Sequence, residues 1–173
     1  MKHLPTRSLV IMRHARAVAH DVARDFERPL SQEGQQQARS VGHNLAASGF
    51  LPDLAVVSSA VQTSQTWQLV TETAGFDCPV IHRDTLYRGY INELLEELRC
   101  LPEQVQQLIV VGHEPTVSAT AVALAGPGSD PAAQARVYAG LPTAARAHLS
   151  YSGLWSGLQT AQCQLHAFVK ADH

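Results

Sequence analysis

Two histidines and an arginine directly follow short apolar runs of the chain. Residues 8–12 (SLVIM) lead into Arg13 and His14, and residues 108–112 (LIVVG) lead into His113. A neutral imidazole nitrogen is a nucleophile that can attack phosphorus. The planar guanidinium of a neighbouring arginine can bind two oxygens of a phosphoryl group at once. These residue types favour phosphoryl transfer through a histidine, and His14 is the predicted phospho-acceptor.

A metal site is the alternative interpretation of paired histidines, because neutral imidazole is a common metal ligand. However, the chain contains neither an HExxH nor an HxH motif, and Arg13 beside His14 would repel a cation. Pro115 is placed at the start of a predicted helix, whose backbone N–H groups and positive dipole end would lie near His113. These features favour an anion, so neither a metal nor a cofactor is predicted.

Apolar runs predict the strands that position these residues. Residues 8–12, 54–58 and 108–112 lack polar alternation, which is typical of strands buried on both faces of a parallel sheet. Weaker patterns predict strands at 80–82, 147–151 and 164–169. The last of these is predicted to close the sheet at an edge.

Helical patterns lie between the predicted strands. A helix capped by Ser31 ends near Gly49, a second ends at Gly75, an apolar stripe over 91–101 ends at Pro102, and a fourth covers 116–125. Residues 126–141 are predicted to form a loop with a short helical part. This alternation predicts an α/β domain with a largely parallel sheet. Ligands bind at the carboxyl ends of the strands in such sheets, so Arg13, His14 and His113 converge if their strands are neighbours.

The length of the chain predicts a single domain over residues 1–173. The 45% hydrophobic and 16% charged residues are ordinary globular values. A net charge of −2 without any Lys/Arg run argues against nucleic acid or an anionic membrane as a partner.

The N-terminal apolar stretch is too short for a signal or a membrane span, so a cytoplasmic location is expected. The three cysteines are isolated, which argues against a zinc knuckle, a thioredoxin motif or a disulfide scaffold.

Several segments, in the same order, resemble the histidine phosphatase superfamily, and in particular its small SixA-type branch. The similar segments are Arg13-His14-Ala15 for the Arg-His-Gly signature, 25–31 (DFERPLS) with Gly34 for "RPLT..G", 58–66 (SSAVQTSQT) for "SPxxRAxQT", 111–115 (VGHEP) for the second histidine motif, and 141–144 (LPTA) for a late "PTAA" segment. Together they cover nearly the whole chain.

The resemblance implies a phosphoglycerate mutase-like fold, which is a three-layer sandwich with helices on both sides of a mostly parallel sheet. It implies that His14 accepts the phosphoryl group and that Arg13 grips its oxygens. His113 would hydrogen-bond those oxygens and support the transition state. Arg28, from the "RPL" segment, is expected to face the same pocket and to bind phosphate.

Gln62 stands where the family normally has a second pocket arginine, an alignment set by Ser58 before it and by Gln65 and Thr66 after it. An amide can still donate hydrogen bonds to phosphate, but it carries no charge. Losing one charge-assisted contact costs roughly 1.5–3 kcal/mol, or about 10- to 100-fold in rate or binding. Two hypotheses therefore stay open, a phosphatase and a phosphate-binding module with weak or no turnover.

The general acid and the substrate are less defined. The candidate proton donors are Asp25, Glu27, Glu93 and Glu114. The short stretch between Ser58 and the strand before His113 leaves little room for the lid that shapes a sugar-phosphate pocket in larger family members. An open site suits phosphohistidine, a phosphoprotein or a small phosphate monoester, and makes a phosphosugar mutase the less favoured alternative. The oligomeric state is not predicted.

Overall fold

The computed structural model describes residues 4–172, which form a six-stranded sheet between two layers of helices. The strands are β1 (Thr6–Arg13), β2 (Leu54–Ser58), β3 (Val80–Arg83), β4 (Gln107–Gly112), β5 (Arg146–Ser152) and β6 (Cys163–Val169). Their order across the sheet is β3-β2-β4-β1-β5-β6. The first four are parallel, and β5 and β6 join antiparallel at one edge.

The helices are α1 (Gln32–Ala47), α2 (Val61–Ala74), α3 (Thr85–Arg88), α4 (Ile91–Arg99), α5 (Thr116–Leu124) and α6 (Pro131–Tyr138). Short 3-10 turns cover Asp25–Glu27 and Trp155–Gly157. Ser31 caps α1 as predicted, because its hydroxyl accepts a hydrogen bond from the Gly34 N–H at 3.1 Å. α6 is the short helical part predicted within 126–141, whereas α3 was not predicted.

Alternate residues of the strands pack into two separate hydrophobic cores. In β1, Leu9 and Ile11 pack into the core beneath α4, α5 and α6. Val10 and Met12 pack into the core beneath α1 and α2. Because both faces of the central strands are covered, these strands read as continuous apolar runs. The predicted three-layer α/β sandwich is confirmed.

No helix in the described part of the chain, residues 4–172, has both the length and the apolar character needed to cross a membrane.

Candidate active site

The strand order brings the predicted residues to one edge of the sheet. β4 lies between β1 and β2, and Arg13 at the end of β1 pairs with Gly112 at the end of β4. The rings of His14 and His113, which follow these two strands, have centroids 5.1 Å apart. They lie in a cleft of about 430 Å³ lined by Arg13, His14, His20, Asp25, Arg28, Gln62, Tyr87, His113 and Glu114. All five predicted site residues therefore line one cleft.

His14 is buried, and its side chain is held in one tautomer. Its Nδ1 lies 2.7 Å from the carbonyl oxygen of Ala15. Because a carbonyl oxygen only accepts hydrogen bonds, the proton lies on Nδ1 and the lone pair of Nε2 stays free on the opposite side of the ring. Burial lowers the pKa of His14 to about 4, and the nearby charges of Arg13 and Arg28 act in the same direction. The imidazole is therefore neutral at pH 7.

The chain after His14 is held in place by α1 and α2. The Ala15 N–H donates to Thr66 Oγ1 at 2.9 Å, and the Ser31 hydroxyl donates to the Arg16 carbonyl at 3.1 Å. A Cβ atom on Gly34 would lie only 1.9 Å from that same carbonyl oxygen. Glycine at the start of α1 is therefore what allows the loop to approach so closely.

The ring of His113 is hydrogen-bonded to Ser58, the last residue of β2. His113 Nε2 lies 2.8 Å from Ser58 Oγ, and the same oxygen accepts the Ala60 N–H at 3.3 Å. A hydroxyl can donate to this ring nitrogen or accept from it, and in either case the hydrogen bond orients the His113 ring. Burial and the proximity of His14 lower the pKa of His113 to about 3. This second imidazole is therefore also neutral at pH 7.

Arg13 reaches the cleft from the end of β1. Its Nη1 donates to the Leu141 carbonyl at 3.1 Å, which connects it to the segment 141–144 noted in the sequence. Its Nε is buried and has no hydrogen-bond partner within residues 4–172. The guanidinium thus retains N–H groups for an anion in the cleft.

Arg28 lies across the cleft in an ion pair with Asp25. Its Nε and Nη2 donate to Asp25 Oδ1 at 3.0 and 2.7 Å, and its Nη1 donates to the Val18 carbonyl at 2.7 Å. The other carboxylate oxygen of Asp25 accepts the hydroxyl of Tyr87 at 2.7 Å. The hydrogen bond from Tyr87 and the ion pair with Arg28 lower the pKa of Asp25. Asp25 is therefore an anion in a cleft otherwise rich in donors.

Gln62 is 1% exposed and lies on the first turn of α2. Its Nε2 donates to the backbone carbonyl of Asp25 at 3.2 Å. Its Oε1 is buried and has no hydrogen-bond partner in the part of the chain that the structure describes. One of the two amide N–H groups is thus already engaged with the loop that carries Arg28.

The structure separates the four candidate proton donors into two groups. Asp25 and Glu114 line the cleft, whereas Glu27 and Glu93 do not. Glu93 instead accepts the Tyr90 N–H at 2.9 Å at the start of α4. Both oxygens of Glu114 accept hydrogen bonds from Ser118, at 3.1 Å from its N–H and 2.6 Å from its hydroxyl.

Two further residues of the cleft were missed by sequence reasoning. His20 follows no predicted strand, so its position in the sequence gives no signal, and its Nδ1 lies 3.5 Å from Asp25 Oδ1. Tyr87 packs its ring edge against His113, with centroids 5.1 Å apart, and no sequence pattern indicated this contact. Within residues 4–172, no group of three or more His, Cys, Asp or Glu side chains is placed to hold a metal ion.

The six-stranded sheet between two layers of helices has the phosphoglycerate mutase-like α/β fold. The model of the histidine phosphatase superfamily (branch 1) matches residues 9–87. A protein from Nakamurella multipartitia, assigned as phosphohistidine phosphatase SixA, has a similar structure with a TM-score of 0.86 and 31% identity, over 99% of this chain and 100% of that one. One from Agrobacterium tumefaciens, with the same assignment, has a TM-score of 0.78 and 27% identity, over 95% and 97% of the two chains.

An uncharacterized protein of Mycobacterium tuberculosis is 33% identical to this chain over 158 residues, which are 91% of this chain and 98% of that protein. The chain belongs to the histidine phosphatase superfamily. The resemblance noted in the sequence motifs is thereby confirmed.

Proposed function

We propose that this chain is a phosphatase that works through a phosphohistidine formed on Nε2 of His14. The observation that carries the proposal is the hydrogen bond from Nδ1 of His14 to the Ala15 carbonyl, at 2.7 Å. It directs the free lone pair to Nε2, and the lowered pKa keeps that lone pair unprotonated at neutral pH.

In the first step, Nε2 of His14 attacks phosphorus while the bond from phosphorus to the leaving group breaks. Negative charge on the three equatorial oxygens is stabilised by Arg13 and Arg28. His113 hydrogen-bonds the same group as a neutral imidazole. In the second step, water attacks phosphorus, the P–N bond to His14 breaks, and inorganic phosphate leaves.

The carboxylates of the cleft favour a substrate whose leaving group departs readily. Asp25 is held ionised by its partners, and both oxygens of Glu114 already accept hydrogen bonds, so neither is a ready proton donor. A phosphoramidate has a better leaving group than an alkyl phosphate ester. We therefore propose phosphohistidine, or a small accessible phosphate monoester, as the substrate. The assignments of the two SixA proteins support this class.

Chemical trapping tests the mechanism. Brief exposure to a ³²P-labelled phosphodonor is expected to label the wild-type chain with an acid-labile, alkali-stable phosphate. His14→Ala should abolish the label. His43→Ala is the matched control, because His43 is exposed on α1 outside the cleft. Full labelling or full activity of His14→Ala would show that another residue accepts the phosphoryl group.

Gln62 supports a second candidate function, a phosphate-binding module with little turnover. Its buried amide adds no charge to the cleft and already donates to Asp25. If charge at this position limits the reaction, Gln62→Arg should raise turnover by about 10- to 100-fold. Gln62→Met is the control for side-chain length without charge. Measurable phosphate affinity with undetectable turnover in the wild-type chain would favour the binding module.

A further inference from the structure

We propose that Asp25 is a positioning residue that presents Arg28 to the phosphoryl group, and that Gln62 and Tyr87 hold Asp25 in place for this purpose. The proposal rests on the phosphatase function above. In this arrangement the second phosphoryl-binding cation comes from the loop after β1, because α2 carries Gln62 in place of the family's arginine.

Asp25 is the point at which three separate parts of the chain meet. Its carboxylate accepts two N–H groups of Arg28 from its own loop and the hydroxyl of Tyr87 from α3. Its backbone carbonyl accepts the amide of Gln62 from α2. An isolated surface ion pair stabilises little. The pair of Arg28 and Asp25 differs from such a pair, because the side chain of Arg28 is only 11% exposed and Asp25 is itself hydrogen-bonded from α2 and α3.

The hydrogen bonds leave Arg28 free to bind an anion in one orientation. A guanidinium has five N–H groups, and Asp25 and Val18 engage three of those of Arg28. One N–H on each Nη atom remains, and Arg28 lines the same cleft as His14. Two fixed donors from one planar group match two oxygens of a phosphoryl group.

Gln62 contributes to this arrangement through the hydrogen bond of its side-chain amide to the Asp25 carbonyl. Its amide is oriented by Asp25, whose carbonyl oxygen can only accept, so Nε2 faces the loop. The position that would carry a phosphate-binding arginine in the family thereby anchors the loop that carries Arg28. Gln62 is 1% exposed, so this anchor is shielded from water.

The direction in which the removal of Asp25 changes oxyanion affinity distinguishes positioning from simple electrostatics. Asp25 is an anion in a cleft that is proposed to bind an anion. If Asp25 acted only through its charge, or held Arg28 away from the ligand, its removal would strengthen oxyanion binding. If Asp25 orients Arg28, its removal weakens oxyanion binding, because the guanidinium loses its fixed direction.

The test is the equilibrium affinity of the full chain for orthovanadate, measured by calorimetry for wild type, Asp25→Asn, Arg28→Gln and the double variant. We expect Asp25→Asn to weaken binding about tenfold, the effect of one charge-assisted contact. We expect the double variant to bind no more weakly than Arg28→Gln alone. Glu27→Gln is the matched control in the same turn, and it should bind as wild type does, since Glu27 lies outside the cleft.

Tyr87→Phe is a second, gentler variant, because it removes only the hydroxyl and keeps the ring against His113 and Phe26. We expect a loss of affinity of about two- to threefold, as for one hydrogen bond on an exposed carboxylate.

Equal or tighter binding by Asp25→Asn, or independent multiplying effects of Asp25→Asn and Arg28→Gln, would overturn the positioning role. His14 labelling in the same wild-type preparation would then still support the phosphatase function. A wild-type chain with neither vanadate affinity nor labelling would overturn both.

Discussion

The protonation of His14 is the property on which the proposed mechanism depends most directly. The perturbation is a fall in pH from 7 to 4. The imidazole is 6% exposed, and its burial disfavours the charged form, which lowers the pKa of His14 from 6.5 to about 4. The hydrogen bond to Ala15 opposes this shift, and the nearby Arg13 and Arg28 reinforce it.

The size of the shift gives a sharp expectation. A difference of this size corresponds to roughly 3 kcal/mol of preference for the neutral ring. At pH 5 about nine-tenths of His14 should then be neutral, whereas only about 3% of a histidine with the ordinary pKa would be. The nucleophile therefore stays available well below neutrality, and its loss is expected only as the pH approaches 4.

Histidine-selective ¹H–¹⁵N NMR reports both the pKa and the tautomer of His14 in the intact chain. We expect a midpoint near pH 4 and, above it, a proton on Nδ1 with an unprotonated Nε2. Arg28→Gln should raise the midpoint slightly, because one nearby positive charge is lost.

A His14 midpoint near 6.5 would show that the ring is hydrated rather than buried. A proton on Nε2 would show that the Ala15 carbonyl does not select the tautomer. Either result would refute the argument that the fold itself prepares His14 as a nucleophile.

Three further predictions concern stability and loop placement. The folded state should lose stability as the pH falls from 6.5 towards 4, because buried histidines with a lowered pKa bind protons at a higher pH in the unfolded state than in the folded state. The free energy of unfolding from urea titrations at pH 7 and pH 5 should differ by about 2 kcal/mol for each such histidine. These histidines are His14, His113 and His148. Arg7→Leu should destabilise the chain by about 3–5 kcal/mol in urea titrations, because buried carbonyls and Glu103 lose their donor. Gly34→Ala should cost about 1–3 kcal/mol and weaken vanadate binding, since its Cβ would meet the Arg16 carbonyl.

Matched variants check these predictions. Arg83→Leu removes an arginine whose ion pair with Glu97 is exposed, so a change below about 1 kcal/mol is expected. Gly157→Ala adds a Cβ where nothing lies within 4 Å, so it should leave vanadate binding unchanged. Equal losses in the test and control variants, or a stability that is flat between pH 7 and pH 5, would contradict the structural explanations.

Much of the site could be located from local sequence patterns. Arg13, His14 and His113 were recognised because each follows an apolar run long enough to be a buried strand, and the structure places them at the ends of β1 and β4. The start of α1 was recognisable because Ser31 is a residue type that caps helices. Such features depend on residues that are neighbours in the chain.

The same local patterns do not predict the hydrogen bonds around Asp25. Asp25 is 37 residues from Gln62 and 62 residues from Tyr87, and both contacts depend on how the loop after β1 packs on α2 and α3. Sequence reasoning considered Asp25 only as a proton donor and Gln62 only as a phosphate ligand. In the structure, the carboxylate of Asp25 binds Arg28 and Tyr87, and Gln62 donates to the backbone carbonyl of Asp25.

The amino-acid sequence by itself determined the residue types that carry the chemistry, the strands and helices that bear them, and the motifs of the family. Only the tertiary structure decided that β4 lies between β1 and β2, which brings His14 within 5.1 Å of His113 between ring centroids. Only the tertiary structure decided that burial lowers the pKa of His14 to about 4 and that of His113 to about 3. Hydrophobic periodicity and capping are local properties, whereas desolvation and contacts between distant segments exist only after the chain has packed.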